Sequence, residues 1–148
     1  MRLVRARTVP GRPDAVWAVL KDPRALPRWW PRVERVESVR GDGWTTVLRS
    51  PRGRVVRADW RLDGSEKHAR RAWSQRVPGT PFEKVLRERK VEVRMEPRDG
   101  DTRVTIAIDL RPKRRAGAIL LRGAIRREID GALKGLQQAL AARDEAAS

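Results

Sequence analysis

The chain has 148 residues, enough for one domain around one hydrophobic core, and its formal net charge is +16. It contains no cysteine, which excludes disulfide bonds and thiolate metal sites. No stretch approaches the roughly 18 apolar residues of a membrane-spanning helix, and the N-terminus lacks the apolar core of a signal peptide, so we expect a soluble cytoplasmic domain.

Arginine supplies most of the 35 basic residues and is spread from Arg2 to Arg143. A surface of this kind attracts polyanions whatever its fold. The even spread favours solvated surface cations in a compositionally biased sequence over a dedicated polyanion site, although both interpretations stay open. We therefore expect nucleic acid to bind only non-specifically.

The N-terminal third predicts a strand followed by two short helices. Residues 2–9 alternate as in a half-buried strand. A short helix begins near Asp14, and Pro23 starts a second helical turn that further prolines keep short. This turn ends in the adjacent tryptophans 29–30, whose large indoles build a rigid apolar wall.

Six more strands are predicted from alternating side chains and from Gly/Pro turn residues. They cover residues 32–40, 43–50, 53–62, 67–77, 83–96 and 102–110. Alternation in the last hairpin pairs Met95 with Val104 and Val93 with Ile106.

The pairing of the strands at 53–62 and 67–77 can be predicted from the turn that connects them. Gly64-Ser65 has the chemistry of a two-residue loop, which would pair Trp60 with Ala69. The alternation of the second strand then places Arg71 and Gln75 on the core face.

A long helix over residues 115–143 completes the chain, and residues 144–148 are expected to form a frayed tail. An apolar stripe marks its buried face: Leu121, Ile125, Ile129, Leu133, Leu136 and Leu140. Gly131 and Gly135 lie one turn apart beside this stripe. They indicate either close packing of the helix on the sheet or space left for a ligand.

Four segments carry a family resemblance: 9–17, 22–31, 78–82 and 130–136. With this order of elements they resemble the START/Bet v 1-like (SRPBCC) superfamily, in particular its bacterial polyketide cyclase/dehydrase and lipid-transport branch. The resemblance implies an α+β helix-grip fold, in which a curved seven-stranded antiparallel sheet wraps around the C-terminal helix. It also implies one ligand-binding domain over 1–143 with an apolar cavity between sheet and helix. Members bind lipids, polyketides, quinones or hormones, and a minority catalyse cyclisation or dehydration.

We expect the cavity to be lined by inward positions of the strands and helices, with a volume on the order of a few hundred Å³. The predicted ligand-binding residues are Trp17, Trp30, Trp60, Arg71, Trp73, Gln75, Val93, Ile106, Ile108, Ile125 and Ile129.

Groups for catalysis are scarce in this composition. There is no cysteine or tyrosine, and the single histidine, His68, has the parity of an exposed strand position. Asp59 and Asp109 lie on outward faces and are expected to pair with arginines of neighbouring strands. No phosphate loop or metal-ligand spacing occurs, so we predict no catalytic residue, cofactor or metal.

Arg71 is the unusual inward residue, because an unpaired buried cation is costly. It either reaches the cavity mouth or an internal carboxylate such as Glu37, or it anchors an acidic or carbonyl group of the ligand.

The sequence thus favours a domain that binds a hydrophobic or amphipathic small molecule, more in keeping with a binding protein than an enzyme. A polyketide aromatase/cyclase is the enzymatic alternative. A START-like RNA- or ribosome-binding protein is a third, favoured by the charge alone.

Overall fold

Seven antiparallel strands form one curved sheet in the computed structural model, which describes residues 1–147. The sheet order is β1-β7-β6-β5-β4-β3-β2, so β2 to β7 form a meander and β1 pairs with β7. The strands are β1 (Arg2–Val9), β2 (Val33–Arg40), β3 (Gly43–Arg49), β4 (Val55–Glu66), β5 (Arg70–Gln75), β6 (Leu86–Arg98) and β7 (Asp101–Pro112).

Three α-helices accompany the sheet: α1 (Pro13–Leu20), α2 (Leu26–Trp29) and α3 (Ala118–Ala147). Short 3₁₀ turns at Pro23–Ala25 and Pro81–Lys84 precede α2 and β6. In the first of these turns the Asp22 carboxylate accepts a hydrogen bond from the backbone N–H of Arg24, which satisfies a donor that the turn leaves free.

Helix α3 packs its apolar stripe on the concave face of the sheet, mainly against β1 and β7. Five of its members are almost fully buried: Ile125, Ile129, Leu133, Leu136 and Leu140. Removal of this much apolar surface from water is the main force that holds helix and sheet together. The predicted helix-grip architecture is confirmed.

The predicted register of the last hairpin is confirmed. Met95 faces Val104 and Val93 faces Ile106, and all four side chains are buried. The two strands are long and evenly alternating, so only one register buries every apolar side chain.

The predicted register of the β4–β5 hairpin is wrong. Trp60 pairs with Gln75 rather than Ala69, because β4 continues through Gly64-Ser65 to Glu66 and a bulge follows Leu62. The turn lies at residues 67–69, where His68 adopts φ 62°, a backbone conformation uncommon for a residue with a side chain.

The paired glycines of α3 permit the close approach of the segment after α1. A Cβ on Gly135 would lie 2.2 Å from the carbonyl oxygen of Trp29, and one on Gly131 would lie 2.9 Å from Cγ of Pro31. Both glycines therefore permit close packing, but against α2 and Pro31 rather than against the sheet.

Helix α3 begins three residues later and ends four residues later than predicted. Gly117, with φ 79°, makes the bend that precedes the first turn. The helix continues to Ala147, through most of the segment that we expected to be frayed, and Ser148 lies outside the described residues.

Candidate ligand-binding site

A cavity of about 670 Å³ lies between the concave face of the sheet, the segment after α2, and the first half of α3. Strands β3, β4, β5 and β6 contribute one wall, while Ala124, Arg127, Glu128 and Gly131 of α3 contribute the opposite one. Exposed Arg32 and Arg127 mark the place where the cavity reaches solvent.

Tryptophans dominate the apolar part of the wall. Trp30, Trp44, Trp60 and Trp73 all line the cavity. Trp73 contacts Trp30 and Trp44 edge to face, with ring centroids 6.1 and 6.2 Å apart. Trp29, behind the wall, packs on Trp30 with centroids 5.3 Å apart. Edge-to-face contacts of this kind hold each indole in a defined orientation.

One pair of opposite charges lies in the cavity wall. Nη2 of Arg89 donates to Oε2 of Glu128 at 2.5 Å, and Nε1 of Trp30 donates to the same oxygen at 2.9 Å. The guanidinium also lies 5.9 Å from the ring centroid of Trp60. The side chains of Arg89 and Glu128 are only 17% and 24% exposed, so the pair is largely shielded from water and its charges compensate one another.

Two residues of the lining also carry buried N–H groups without a protein partner. Nε1 of Trp44 and Nε2 of Gln75 are buried and have no hydrogen-bond acceptor among the described residues. In contrast, Nε1 of Trp60 donates to Oγ1 of Thr46 at 2.9 Å.

Four of the predicted site residues line this cavity together: Trp30, Trp60, Trp73 and Gln75. Trp44, Arg89 and Glu128 were missed. Trp44 and Arg89 could have been found from strand parity, because Trp44 lies opposite Trp60 and Arg89 alternates with Val91. Glu128 has no such signal, since it stands at the margin of the apolar stripe.

The remaining apolar predictions lie outside the lining. Val93, Ile106, Ile108, Ile125 and Ile129 are buried in the core. Helix α3 packs tightly over β1 and β7, so the space beneath it is filled there and the cavity lies towards β3 to β6. Trp17 is also buried, and its ring contacts His68 at 6.3 Å between centroids.

Arg71 does not line the cavity either. It is half-buried in β5, where Nη1 donates to Oγ of Ser65 at 3.3 Å. Burial lowers the pKa of Arg71, and the carboxylates of Asp42 and Asp22 act in the opposite direction. Glu37, considered above as a partner, accepts hydrogen bonds from other arginines.

The other polar candidates have surface roles. His68 is exposed in the β4–β5 turn rather than in a strand. Asp109 pairs with Arg2 at 2.5 Å as expected, whereas Asp59 accepts from the hydroxyl of Thr45 at 2.6 Å.

No cluster of metal-ligating side chains occurs in the part of the chain that the structure describes. Within residues 1–147 no helix is long and apolar enough to cross a membrane.

The family model described as polyketide cyclase / dehydrase and lipid transport matches residues 1–141. No curated protein matches the chain.

Solved structures share this fold at low sequence identity. The Zhui aromatase/cyclase from a Streptomyces species superposes with a TM-score of 0.80 at 18% identity, covering 100% of this chain and 98% of its own. A conserved protein from Geobacillus kaustophilus has a TM-score of 0.80 at 16% identity, with 95% of each chain covered. Ara h 8.0201 has a TM-score of 0.75 at 14% identity, covering 96% of this chain and 98% of its own.

Proposed function

Because this chain belongs to the polyketide cyclase/dehydrase and lipid-transport family, we propose that it binds a hydrophobic or amphipathic small molecule in the cavity between the sheet and α3. The observation that carries the proposal is the cavity of about 670 Å³ with four tryptophans in its wall. Protein interiors are packed with few voids larger than a water molecule, whereas ligand sites typically measure about 300–1,000 Å³.

Hydrogen bonds and ring contacts hold the side chains of this wall in defined positions. Trp30 is fixed by its hydrogen bond to Glu128 and by its contacts with Trp29 and Trp73. Gly135 lets α3 approach the backbone of Trp29, and Gly131 lets it approach the ring of Pro31, so this segment is held closely against the helix. A rigid, preformed apolar cavity binds ligands well because little conformational entropy is lost on binding.

Flat aromatic or polycyclic ligands suit this wall best. Edge-to-face indoles present faces and edges on which a planar ring system can stack or pack. Lipids, polyketides and quinone-like molecules are the classes that the sequence resemblance implies, and quinones and cyclised polyketides supply such rings.

The mouth of the cavity offers a direct test. Ala124 is exposed on α3 and lines the cavity, so Ala124→Trp should obstruct it while leaving the core intact. Ala142 is also exposed on α3 but lies outside the lining, so Ala142→Trp is the matched control. The fluorescent probe 1-anilinonaphthalene-8-sulfonate should bind the unaltered protein and the control alike, and at least about tenfold more weakly to Ala124→Trp. Equal binding by all three would contradict the proposed location.

The natural ligand can be identified by native mass spectrometry of protein purified from its own host. A bound mass that survives purification and is displaced by the fluorescent probe would be the ligand of this cavity. The unaltered protein and Ala142→Trp should both carry it, whereas Ala124→Trp should not.

A polyketide aromatase/cyclase is the second candidate function, favoured by the Arg89–Glu128 pair in the cavity wall. A shielded carboxylate can accept a proton next to a carbonyl, and a neighbouring guanidinium can stabilise the enolate that forms. Incubation with a linear poly-β-ketone would test this activity. An enzyme should yield a cyclised product, and Glu128→Gln should abolish turnover while the ligand still binds.

A further inference from the structure

Two aliphatic side chains project into solvent at the start of α3. Ile119 is 88% exposed and Leu120 is 80% exposed, more than any other large apolar residue that the structure describes. Val85, also exposed, lies beside the segment that leads into α3, because its carbonyl oxygen accepts a hydrogen bond from the backbone N–H of Lys113 at 3.0 Å. Adjacent apolar side chains that a fold leaves this exposed are typical of a surface that a partner covers.

The same segment, residues 113–127, contains six cations and no carboxylate: Lys113, Arg114, Arg115, Arg122, Arg126 and Arg127. All six are exposed, and among the described residues none of them forms an ion pair. On the sheet, in contrast, Arg70 and Arg94 share the carboxylate of Glu92. Positive potential is therefore concentrated around the two projecting aliphatic side chains.

This distribution of charge is unfavourable for the helix by itself. The first turn of an α-helix carries partial positive charge on its free N–H groups, and acidic side chains stabilise it. The first turn of α3 holds no acidic residue, and the three residues 113–115 just before it are all cations. A partner that is anionic outside and apolar beneath would relieve both the repulsion and the exposure of apolar surface to water.

Charge and side-chain type distinguish the possible partners. A second copy of the chain would bring the same six cations against the first, and like charges repel. Nucleic acid is held by phosphate contacts, hydrogen bonds to base edges and stacking on aromatic rings, and the aliphatic Ile119 and Leu120 supply none of these. A bilayer with anionic lipids offers phosphate groups at its surface and hydrocarbon beneath them, and it needs no preformed pocket to receive projecting side chains.

We propose that the start of α3 docks this protein onto the surface of membranes that contain anionic lipids. Ile119 and Leu120 enter the boundary between headgroups and acyl chains, and the surrounding cations bind the lipid phosphates. Neither aliphatic residue lines the cavity between the sheet and α3, so this docking surface does not depend on the proposed function.

Co-sedimentation with lipid vesicles tests the choice of partner. Vesicles of phosphatidylcholine alone are compared with vesicles in which about one third of the lipid is phosphatidylglycerol, at about 150 mM salt. The protein should partition at least about tenfold more strongly onto the anionic vesicles, and added salt should weaken this binding. Equal partitioning onto both kinds of vesicle, or onto neither, would overturn the proposal.

A pair of double variants tests the aliphatic side chains. Ile119→Gln with Leu120→Gln removes them and keeps residues that favour a helix. Val4→Thr with Val55→Thr removes exposed apolar surface from β1 and β4 and serves as the control. Partitioning onto the anionic vesicles should fall at least about tenfold in the first variant, because burial of even one aliphatic side chain accounts for that much, and less than about twofold in the control. Equal effects would show that these side chains do not enter the membrane.

The cations have a matched control on the adjacent hairpin. Arg114→Gln with Arg115→Gln removes two charges beside α3, whereas Arg98→Gln with Arg103→Gln removes two exposed charges near the β6–β7 turn, at the other end of β7. The first variant should lose at least about tenfold in partitioning, and the second much less. Equal losses would mean that net charge, rather than this surface, attracts the vesicles.

Insertion can be observed directly, because the chain has no cysteine of its own. Leu120→Cys and Ala142→Cys, at the two ends of α3, can each be labelled at a single site with the polarity-sensitive dye acrylodan. Anionic vesicles should shift the emission of the first label to shorter wavelength and leave that of the second unchanged. No shift at residue 120 would overturn the proposal.

Other occupants of this surface would give different results. A dimer that Ile119→Gln with Leu120→Gln dissociates would assign the surface to a second copy, and RNA binding weakened by the same variant would assign it to RNA; either result overturns the proposal. Fluorene, a neutral planar hydrocarbon, should bind equally to this variant and to the unaltered protein, as measured by calorimetry, because the cavity is untouched. Failure of fluorene and of 1-anilinonaphthalene-8-sulfonate to bind either protein would count against the proposed function alone.

Discussion

Glu128 determines two properties of the cavity wall, the position of one indole and the neutrality of a buried charge. It accepts hydrogen bonds from both Arg89 and Trp30, so it fixes one indole of the wall and compensates the charge of the guanidinium. Hydrogen bonds to a charged group that is shielded from water are worth more than those at the surface. The stability of the wall and its neutrality therefore depend on the same carboxylate.

Replacement of this carboxylate should change both properties. Glu128→Gln is expected to lower the free energy of unfolding by about 1–3 kcal/mol, because Arg89 loses its counter-charge in a shielded place. Asp130→Asn on the same helix breaks the exposed pair with Arg5 and should cost less than about 1 kcal/mol. Urea denaturation of the two variants provides the comparison.

The same variant should also bind anions better. With Arg89 uncompensated, fluorene-9-carboxylate should gain affinity relative to fluorene, as measured by calorimetry. An unchanged preference would mean that the guanidinium does not reach the ligand.

Substitution of Arg71, in contrast, is expected to leave ligand binding nearly unchanged. It lies outside the cavity lining and its guanidinium is hydrogen-bonded to Ser65. Arg71→Met should therefore change the dissociation constants of 9-fluorenone and fluorene-9-carboxylate by less than about twofold, as for a substitution away from the site. A selective loss of carboxylate binding would restore the anchor that the sequence suggested.

At the scale of strands and helices, the β4–β5 hairpin shows that the alternation of side chains predicts which face they occupy but not which residues they pair with. The predicted and observed partners of Trp60, Ala69 and Gln75, are six positions apart. A slip by an even number of residues keeps the same side chains inward, so the sequence correctly placed Trp73 and Gln75 on the inner face while giving them the wrong neighbours. The turn was missed because a histidine at positive φ has no strong sequence signal, whereas Gly64-Ser65 inside β4 has the chemistry of a turn.

The glycines of α3 allow a paired test of helix packing. Gly135→Ala would place a methyl group against the backbone of Trp29, which cannot move without displacing the tryptophan wall, so the free energy of unfolding should fall by about 2 kcal/mol or more. Gly123→Ala meets only the end of the Arg127 side chain at 3.4 Å and should stabilise the helix by up to about 1 kcal/mol. Thermal or urea unfolding of both variants would measure the contrast, and equal effects would show that α2 is not clamped on α3.

For the whole molecule, the sequence predicted the order of elements and the face of each strand, but not the position of the cavity. The order of the elements and the alternation of side chains along a strand depend on the local sequence. They can therefore be predicted without knowing how the elements pack. The cavity depends on how α3 packs against both the sheet and α2, which includes contacts between distant parts of the chain such as Gly135 with Trp29. Consequently Ile106 and Ile108 were correctly placed on the inner face and yet are covered by the helix.

Part of the positive charge is engaged in ion pairs along the sheet. Glu92, for example, accepts hydrogen bonds from both Arg70 and Arg94. Such dispersed pairs argue for solvated cations. We expect DNA or RNA to bind without sequence preference, with dissociation constants of about 10⁻⁴–10⁻⁶ M near physiological salt. Titration at several salt concentrations would check this, and nanomolar affinity for one RNA would contradict it.

The same pairs make the fold sensitive to acid. Burial raises the pKa of the Glu92 carboxyl, but hydrogen bonds from Arg70 and Arg94 outweigh this effect and hold the pKa below its usual value of 4.5. A carboxyl with a lowered pKa in the folded state stabilises the protein above pH 4.5, and this contribution is lost as pH falls through the folded-state pKa. Urea midpoints measured from about pH 6 to about pH 3 should therefore decline less steeply in Glu92→Gln than in the unaltered protein.

The contacts among the indoles also give the protein an optical property. Trp29, Trp30, Trp73 and Trp44 follow one another edge to face at 5.3, 6.1 and 6.2 Å, and the chain has no tyrosine. Transition dipoles at such separations couple, so the circular dichroism should carry exciton bands from the strong ultraviolet transitions of these indoles. Intrinsic emission comes from indole alone, and excitation energy can migrate along the row to whichever ring touches the occupant. The protein thus contains its own spectroscopic reporter of whether the cavity is filled.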